Sequence, residues 1–202
     1  MKSRGLLIVL AIVGAIVVVV LAMVLWGIGT YNRLVSLDEG VQSAWSQVEN
    51  QYQRRAELIP NLVETVKGFA SQEKAVLLGV TEARAKVSQI TVTKEVLEDP
   101  AAFSKFQAAQ DQFSSAISRL LAVAENYPQL KSNENFLALQ NQLEGTENRI
   151  AVERRNFNLV VQSYNTAIRK FPGSVVAGFG NFREKQYFKA KEGAETAPHV
   201  KF

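Results

Sequence analysis

The first pattern along the chain is an apolar run that is long enough to cross a membrane. Leu6–Ile28 reads LLIVLAIVGAIVVVVLAMVLWGI, and no charged residue occurs between Arg4 and Arg33. A transmembrane helix needs about 20 such residues. We therefore predict a membrane anchor over residues 1–30. The residues assigned to the anchor and its interfacial end are Leu6, Trp26 and Tyr31.

The residues on either side of the apolar run indicate whether it is cleaved and how it is oriented in the membrane. A cleaved signal peptide is the alternative, but its apolar region is shorter, about 7–15 residues, and ends at a small-residue cleavage site. No convincing site follows Trp26. Lys2 and Arg4 precede the run and only Arg33 closely follows it. The positive-inside rule then predicts a single-pass membrane protein with its N-terminus in the cytoplasm and its body outside.

Beyond the anchor, apolar residues recur at the spacing of helices that pack on one another. They follow a seven-residue repeat that also places Gln51, Arg55 and Thr65 on the seam. Its apolar members are Leu34, Leu37, Val41, Ala44, Val48, Leu58, Leu62 and Phe69. Pro60 lacks a backbone donor, so a kink or break is expected there. The helical pattern then continues to about Val87.

Two further helices follow. Asp99-Pro100 is a helix start signal, and the apolar pattern after it predicts a helix from Pro100 to about Asn126. A third helix is predicted from about Asn135 to Lys170. No segment shows convincing strand alternation. We predict an all-α fold in which the transmembrane helix is followed by an antiparallel, coiled-coil-like bundle of long helices over residues 31–172.

The end of the chain differs from the bundle. Residues 31–168 carry 14 basic and 16 acidic side chains, whereas residues 169–202 carry seven basic and three acidic ones. We define residues 173–202 as a basic, aromatic tail whose last part, 189–202, is expected to be disordered. Its aromatic rings are predicted to dock on this bundle, on a neighbouring copy or on lipid. The rings assigned to docking are Phe171, Phe179, Phe182, Tyr187 and Phe188.

The composition excludes most enzyme chemistry. The chain has no cysteine, and its one histidine, His199, lies in the tail. No zinc-protease motif or phosphate-binding loop is present. Glu144 and Glu147 lie three residues apart on one helix face and together with Glu153 could hold a hard cation, but a solvated or ion-paired face is the preferred interpretation. We predict no enzyme activity, no metal and no cofactor. Nucleic acid is not expected as a partner, because the body is near neutral and anchored.

Polar residues occupy the predicted seams. If the helices are antiparallel neighbours, Arg55 can face Glu147, and Asn61 can accept hydrogen bonds from nearby backbone. Buried ion pairs add little stability but can fix register and partner choice. We predict a polar layer that sets bundle register or a subunit contact; the alternative is that these side chains extend to water. The assigned residues are Arg54, Arg55, Asn61, Glu147 and Arg154.

Several multi-residue strings occur in order along the chain. They are YNRLV (31–35), AWSQV (44–48), QYQRRAELIPNLVETVKGFA (51–70), LAVAENYP (121–128) and LEGTENRIAVERRNFN (143–158), followed by Tyr164-Asn165 and Phe171-Pro172. Together they resemble the LemA family. The resemblance covers essentially residues 1–188. Phe157 departs from it, because the family often has tyrosine there. The resemblance implies a bacterial, membrane-anchored helical bundle, associated with membrane proteases and membrane stress. It supplies no catalytic residue.

These observations favour a non-enzymatic scaffold that self-associates at the bacterial membrane, in envelope or membrane stress and quality control. The expected partners are the lipid bilayer, other copies of the chain and a membrane protease or another envelope protein. The alternative is a monomeric or dimeric adaptor that presents a surface to a membrane protease or sensor.

Overall fold

The computed structural model describes the backbone of residues 2–189 and the side chains of residues 10–189. Regular structure in this range is entirely helical, which confirms the all-α prediction. The α-helices within it are α1 Lys2–Phe69, α2 Lys74–Ser88, α3 Lys94–Glu98, α4 Pro100–Val123, α5 Pro128–Lys131, α6 Glu134–Arg169 and α7 Gly173–Gly180. A single 3-10 turn, Ala124–Asn126, follows α4.

The described chain divides into two compact units. Residues 2–40 and 162–184 form the anchor unit, and residues 41–161 and 185–189 form the bundle unit. Helices α1 and α6 each contribute residues to both units. Each unit is described separately below.

Helix α1 does not break at its internal proline. Pro60 lies inside α1, which continues to Phe69. A kink or a break was expected at Pro60, and the break does not occur. Pro60 is exposed, while Ile59 and Leu62 on either side of it are buried. Burial of these flanking residues offsets the loss of one backbone hydrogen bond.

The predicted continuation of this helix to Val87 is wrong. Helix α1 ends at Phe69, residues 70–73 form a turn, and α2 begins at Lys74. In the turn the Glu73 backbone N–H donates to the Ala70 carbonyl oxygen. Apolar spacing alone cannot reveal this reversal, because both helices carry the same period.

The seam of α1 also differs from the predicted register. Its buried positions alternate in steps of four and three, as in a coiled coil. They are Leu34, Asp38, Val41, Trp45, Val48, Tyr52, Arg55, Ile59, Leu62 and Val66. One column of the predicted repeat is therefore right from Leu34 to Leu62, although Phe69 at its end is exposed, and the other column is shifted by one residue. Tyr52 and Val66 are buried where Gln51 and Thr65 were expected.

In the bundle unit, α1 and α6 run in opposite directions. Along α1, Trp45, Tyr52 and Arg55 contact Phe157, Arg154 and Glu147 of α6, in descending order. Apolar side chains from α1, α2, α4, α5 and α6 share one core. Its fully buried members include Leu62, Val66, Val80, Leu120, Leu130 and Phe136. Asp99 caps α4, accepting hydrogen bonds from the Ala101 and Ala102 N–H groups.

Two segments assigned to irregular structure contain short helices. Helix α3 lies within the predicted connection 88–99, and α7 lies at the start of the predicted tail. Residues 181–189 are not helical. Of the segment expected to be disordered, only Lys189 is among the described residues, so that expectation otherwise lies outside them.

Candidate functional site

A buried polar layer crosses the bundle unit at the centre of its seams. We call it the Arg55 layer. Its members come from three helices: α1 supplies two, α4 three and α6 two. They are Tyr52, Arg55, Gln110, Asp111, Ser114, Glu147 and Arg154.

Arg55 is the centre of this layer and is 0% exposed. Its Nη1 donates to Glu147 Oε1 at 2.7 Å and to Ser114 Oγ at 2.8 Å. Its Nη2 donates to Gln110 Oε1. The Glu147 side chain is 40% exposed, so water also reaches the carboxylate. A charged group leaves water only when it is paired and hydrogen-bonded, and Arg55 meets that condition through partners on two other helices, α4 and α6.

Aromatic rings complete the surroundings of Arg55. Its guanidinium carbon lies 5.3 Å from the Tyr52 ring centroid and 5.0 Å from that of Phe113. Such cation–π contacts further stabilise a desolvated guanidinium. Among the described residues, none accepts a hydrogen bond from Arg55 Nε. The layer therefore pairs the Arg55 charge with a carboxylate and two rings but supplies no acceptor for its Nε among the described residues.

A second arginine extends the layer towards the tail. Arg154 Nε donates to the Tyr52 hydroxyl at 2.6 Å, and its guanidinium lies 4.0 Å from an Asp111 carboxylate oxygen. The same guanidinium is 4.9 Å from the Phe188 ring centroid. Burial raises the pKa of Tyr52 above its ordinary value, although Arg154 acts in the opposite direction. The Tyr52 hydroxyl is thus held neutral as an acceptor.

The end of the described chain is fastened to the bundle unit by an aromatic cluster. The buried Phe188 ring stacks on Trp45 with centroids 6.1 Å apart and packs against Phe103 at 5.0 Å and Phe157 at 5.5 Å. The side-chain amide of Asn158 binds both the N–H and the carbonyl oxygen of Phe188, each at 2.9 Å. This pairing imitates a strand partner and fixes the backbone at Phe188.

An ion pair and backbone contacts fasten the residues just before Phe188. Lys185 is buried, and its Nζ lies 2.7 Å from Glu98 Oε1. The Gln186 backbone N–H donates to the Leu97 carbonyl oxygen at 2.8 Å. Residues 185–189 therefore form a strap across α3, α4 and α6.

The structure separates the predicted seam residues into two groups. Arg55, Glu147 and Arg154 meet in the Arg55 layer. Arg54 and Asn61 are exposed, which corrects their assignment to the seam. Each lies one residue before a buried position, and one residue rotates the side chain by about 100° around a helix.

The predicted docking rings also divide. Phe188 is buried in the bundle unit, and Phe182 contacts Tyr31 in the anchor unit with ring centroids 5.6 Å apart. Tyr187 is exposed. Phe171 and Phe179 are 81% and 91% exposed, so neither packs within the described chain.

The anchor residues are exposed as far as the structure describes them. Side chains from Leu10 to Trp26 are all exposed, including that of Trp26 itself, and so is Tyr31. The side chain of Leu6 lies outside the described residues. Within the described range, α1 contains a segment that is long enough and apolar enough to cross a membrane.

Sequence reasoning missed several residues that hold the site together. They are Trp45, Tyr52, Gln110, Asp111, Ser114, Asn158 and Lys185. Tyr52 is detectable from the correct seam register. Asn158 and Lys185 carry no local signal, because their partners are distant in the sequence.

The described residues offer little chemistry beyond binding and packing. Across that range no group of three or more acidic or histidine side chains is placed to hold a metal ion. Glu147 is paired with Arg55, while Glu144 and Glu153 accept hydrogen bonds from Gln140 and Asn156. An open groove of about 960 Å³ between α2 and α4 is lined mainly by polar and small residues. It resembles a contact surface more than a reaction site.

Comparison with known proteins identifies the family of the chain. The model of the LemA family matches residues 44–202. The chain belongs to the LemA family. Magnetosome protein MamQ of Magnetospirillum gryphiswaldense is 28% identical, over 82% of this chain and 67% of the relative. Magnetosome protein MamQ 2 of Paramagnetospirillum magneticum gives the same identity and coverage. Protein LemA of Metamycoplasma hominis is 26% identical, over 82% of this chain and 71% of the relative.

The apolar part of α1 and the LemA-family relatives together identify a membrane-associated helical protein. The names of these relatives describe no catalytic activity. In this LemA-family chain, the Arg55 layer connects α1 with α4 and α6 through the buried guanidinium of Arg55.

Proposed function

We propose that the protein is a non-enzymatic, membrane-anchored helical scaffold that self-associates at the bacterial cytoplasmic membrane. The observation that carries the proposal is the continuity of α1. One uninterrupted helix bears an exposed apolar segment and, farther along, the buried seam of the bundle unit. The same helix therefore supplies both a segment that can cross a membrane and a seam on which other helices pack.

The Arg55 layer supports a scaffold because it opposes slippage. A shift of one helix by a turn would remove Arg55 from Glu147, Ser114 and Gln110 and leave its charge buried without partners. Loss of partners from a buried ion pair costs about 3–5 kcal/mol. The layer thus favours one register over its neighbours, as single polar residues do in coiled coils.

An outward apolar pair on α6 supports self-association. Val152 and Leu159 are 42% and 56% exposed and lie seven residues apart, hence on one helix face. Seven-residue spacing is the repeat by which helices of separate chains pack. The relatives named as magnetosome proteins also support a role in a membrane-associated assembly, here proposed for envelope or membrane-stress quality control.

The mass of the full-length protein in mild detergent tests self-association. Light scattering and negative-stain imaging should show a uniform particle of several copies. The Val152→Ser/Leu159→Ser variant should lower its mass, because the outward apolar pair is removed. Asn148→Ser/Asn156→Ser, at exposed polar positions of the same helix, is the matched control and should leave the mass unchanged.

A monomer or dimer in the unmodified protein would contradict the scaffold. The groove between α2 and α4 would then favour the alternative, an adaptor for a membrane protease or sensor, and cross-linking would be directed to that surface.

The proposed orientation has its own test. Because the sequence lacks cysteine, Gln47→Cys provides a single thiol at an exposed position of the bundle unit. A membrane-impermeant maleimide should label it in intact spheroplasts if the body is extracytoplasmic. Labelling only after lysis would place the body in the cytoplasm.

A further inference from the structure

The anchor unit exposes an unusual apolar surface on α7 and the turn before it. Phe171 and Phe179 are almost fully exposed, and Val175 between them is half exposed. Val175 and Phe179 are four residues apart and share one helix face. The opposite face of α7 is already used, because Gly173 and Ala177 are buried. Two whole phenylalanine rings in water are costly at about 25 cal/mol per Å² of apolar surface.

This surface lies beside the end of the apolar run. The Phe182 ring, which follows α7, meets Tyr31 edge to face at 5.6 Å. Tyr31 comes three residues after Ile28, where the run ends. Three helical residues span about 4.5 Å, so the contact is at the level expected for a membrane interface.

The backbone of this contact is specified closely. A side-chain carbon added at Gly180 would lie 2.6 Å from the Phe182 ring and 3.2 Å from the Tyr31 ring. Only glycine permits such an approach. Asn181 ends α7 with φ of 54°, a left-handed conformation that asparagine tolerates well. Helix α7 is thus held against the end of the anchor.

The charges around the surface fit an anionic membrane. Arg169, Lys170 and Arg183 flank α7, and α7 itself contains no charged residue. Glu184 is the one acidic residue between 169 and 184, and it lies 3.6 Å from Arg169. Basic residues next to an apolar helix are typical of segments that bind anionic headgroups while their rings enter the interface.

We propose that Phe171, Val175 and Phe179 form a second lipid contact, in which α7 inserts into the interface of the bilayer that α1 crosses. The inference rests on the proposed anchor. The occupant is lipid because the contact with Tyr31 places this surface where the membrane begins. The anchor would keep α7 at the bilayer, so even a small apolar surface would stay inserted.

A spin label measures this insertion directly. Ser174→Cys places a single label on the exposed side of α7 without removing any apolar residue. The full-length protein is reconstituted in vesicles of phosphatidylcholine and phosphatidylglycerol at 3:1. Collision rates with oxygen, which concentrates in lipid, and with a water-soluble nickel chelate are then compared. Met23→Cys is the reference within the apolar run, and Gln162→Cys is the exposed reference on α6 in the same unit.

The expected result is a severalfold lower nickel collision rate at residue 174 than at residue 162, with high oxygen access at both 174 and 23. Phe171→Ser/Phe179→Ser should return the label at 174 to water, whereas Leu78→Ser, at an exposed leucine of the bundle unit, should not. Exclusion of both reagents at 174 would indicate a protein neighbour and overturn the lipid contact.

The references separate the two proposals. A label in lipid at 23 but in water at 174 overturns insertion of α7 and leaves the anchor standing. A label in water at 23 overturns the anchor, and insertion with it.

Discussion

Residues 10–30 and 34–66 belong to the same helix but present apolar side chains in opposite ways. Between 10 and 30 nearly every side chain is exposed, although nearly all are apolar. Between 34 and 66 the buried side chains follow one seam, and the rest of the surface is largely polar. Apart from the one hydrogen bond that Pro60 cannot donate, both halves have the same helical backbone, so the difference lies in what surrounds the helix. A membrane suits the first half, and other helices suit the second.

The aromatic rings at the end of the described chain show the same contrast. Phe179 and Phe188 are nine residues apart and chemically identical, yet one is exposed and the other buried. Phe179 belongs to the anchor unit and Phe188 to the bundle unit. Residue type therefore does not decide whether an aromatic ring is buried. Burial depends on whether other elements of the fold pack against the ring.

The largest expected effect comes from placing charge in the exposed apolar half. Val18→Asp/Val19→Asp should cost about 3 kcal/mol per aspartate for insertion into a bilayer and move the protein out of the membrane fraction. Gln47→Asp/Asn50→Asp, at exposed positions of the seam half, is the control and should not change fractionation. Membrane flotation after carbonate extraction measures both. Equal retention of the two variants would contradict the distinction between the halves.

The two phenylalanines should differ by several kcal/mol in their contribution to stability. Phe188→Ala leaves a cavity among Trp45, Phe103 and Phe157, and such truncations cost about 3–5 kcal/mol. Phe179→Ala should lie within about 0.5 kcal/mol of the unmodified protein in detergent. Urea unfolding followed by Trp45 fluorescence, with Trp26→Phe in every variant, provides the free energies of unfolding. A similar loss in both variants would mean that the strap is not specific to Phe188.

A smaller effect is expected in the Arg55 layer. Glu147→Ala removes the carboxylate from a buried guanidinium and should cost about 2 kcal/mol, since Glu147 is partly exposed. Arg55→Met removes the charge together with its desolvation cost and should be less destabilising. Arg54→Met, at the exposed neighbour, should change stability by less than about 0.5 kcal/mol. An Arg55→Met loss larger than that of Glu147→Ala would show that the charge itself stabilises the bundle.

The smallest effect is a pH dependence from Tyr52. Because burial raises the pKa of Tyr52 in the folded state above its unfolded value of about 10, the neutral form favours folding. The free energy of unfolding should be insensitive to this group below pH 10. It should fall by at most about 1.4 kcal/mol per pH unit as the pH rises from 10 through the folded pKa.

Tyr52→Phe should flatten this slope while lowering stability at neutral pH, since the hydrogen bond from Arg154 is lost. Tyr127 also has a pKa raised by burial and by its hydrogen bond to Glu73, so Tyr127→Phe is measured alongside to separate its contribution to the slope from that of Tyr52. An unchanged slope in Tyr52→Phe would assign the dependence to another group.

The sequence by itself determined the elements whose signals are local. The apolar run, the all-α class and the start of α4 at Pro100 all follow from composition, period and capping within a few residues. The helices and the start of α4 depend on local backbone hydrogen bonding, and the apolar run depends on the transfer of one helix from water to lipid. These effects do not require a second segment of the chain. One column of the α1 seam was readable for the same reason.

Only the tertiary structure decided which neighbouring residue faces the core. Gln51 and Tyr52 differ by one position, and so do Arg54 and Arg55; the partners on α4 and α6 select between them. Arg55 meets Glu147 across 92 residues of sequence, and the strap at Phe188 depends on Asn158, 30 residues earlier. Which residues are buried depends on how complete helix surfaces fit together, and that fit exists only in the assembled fold. For this reason, only the fold determines which residues form the Arg55 layer and which aromatic rings of the tail are buried.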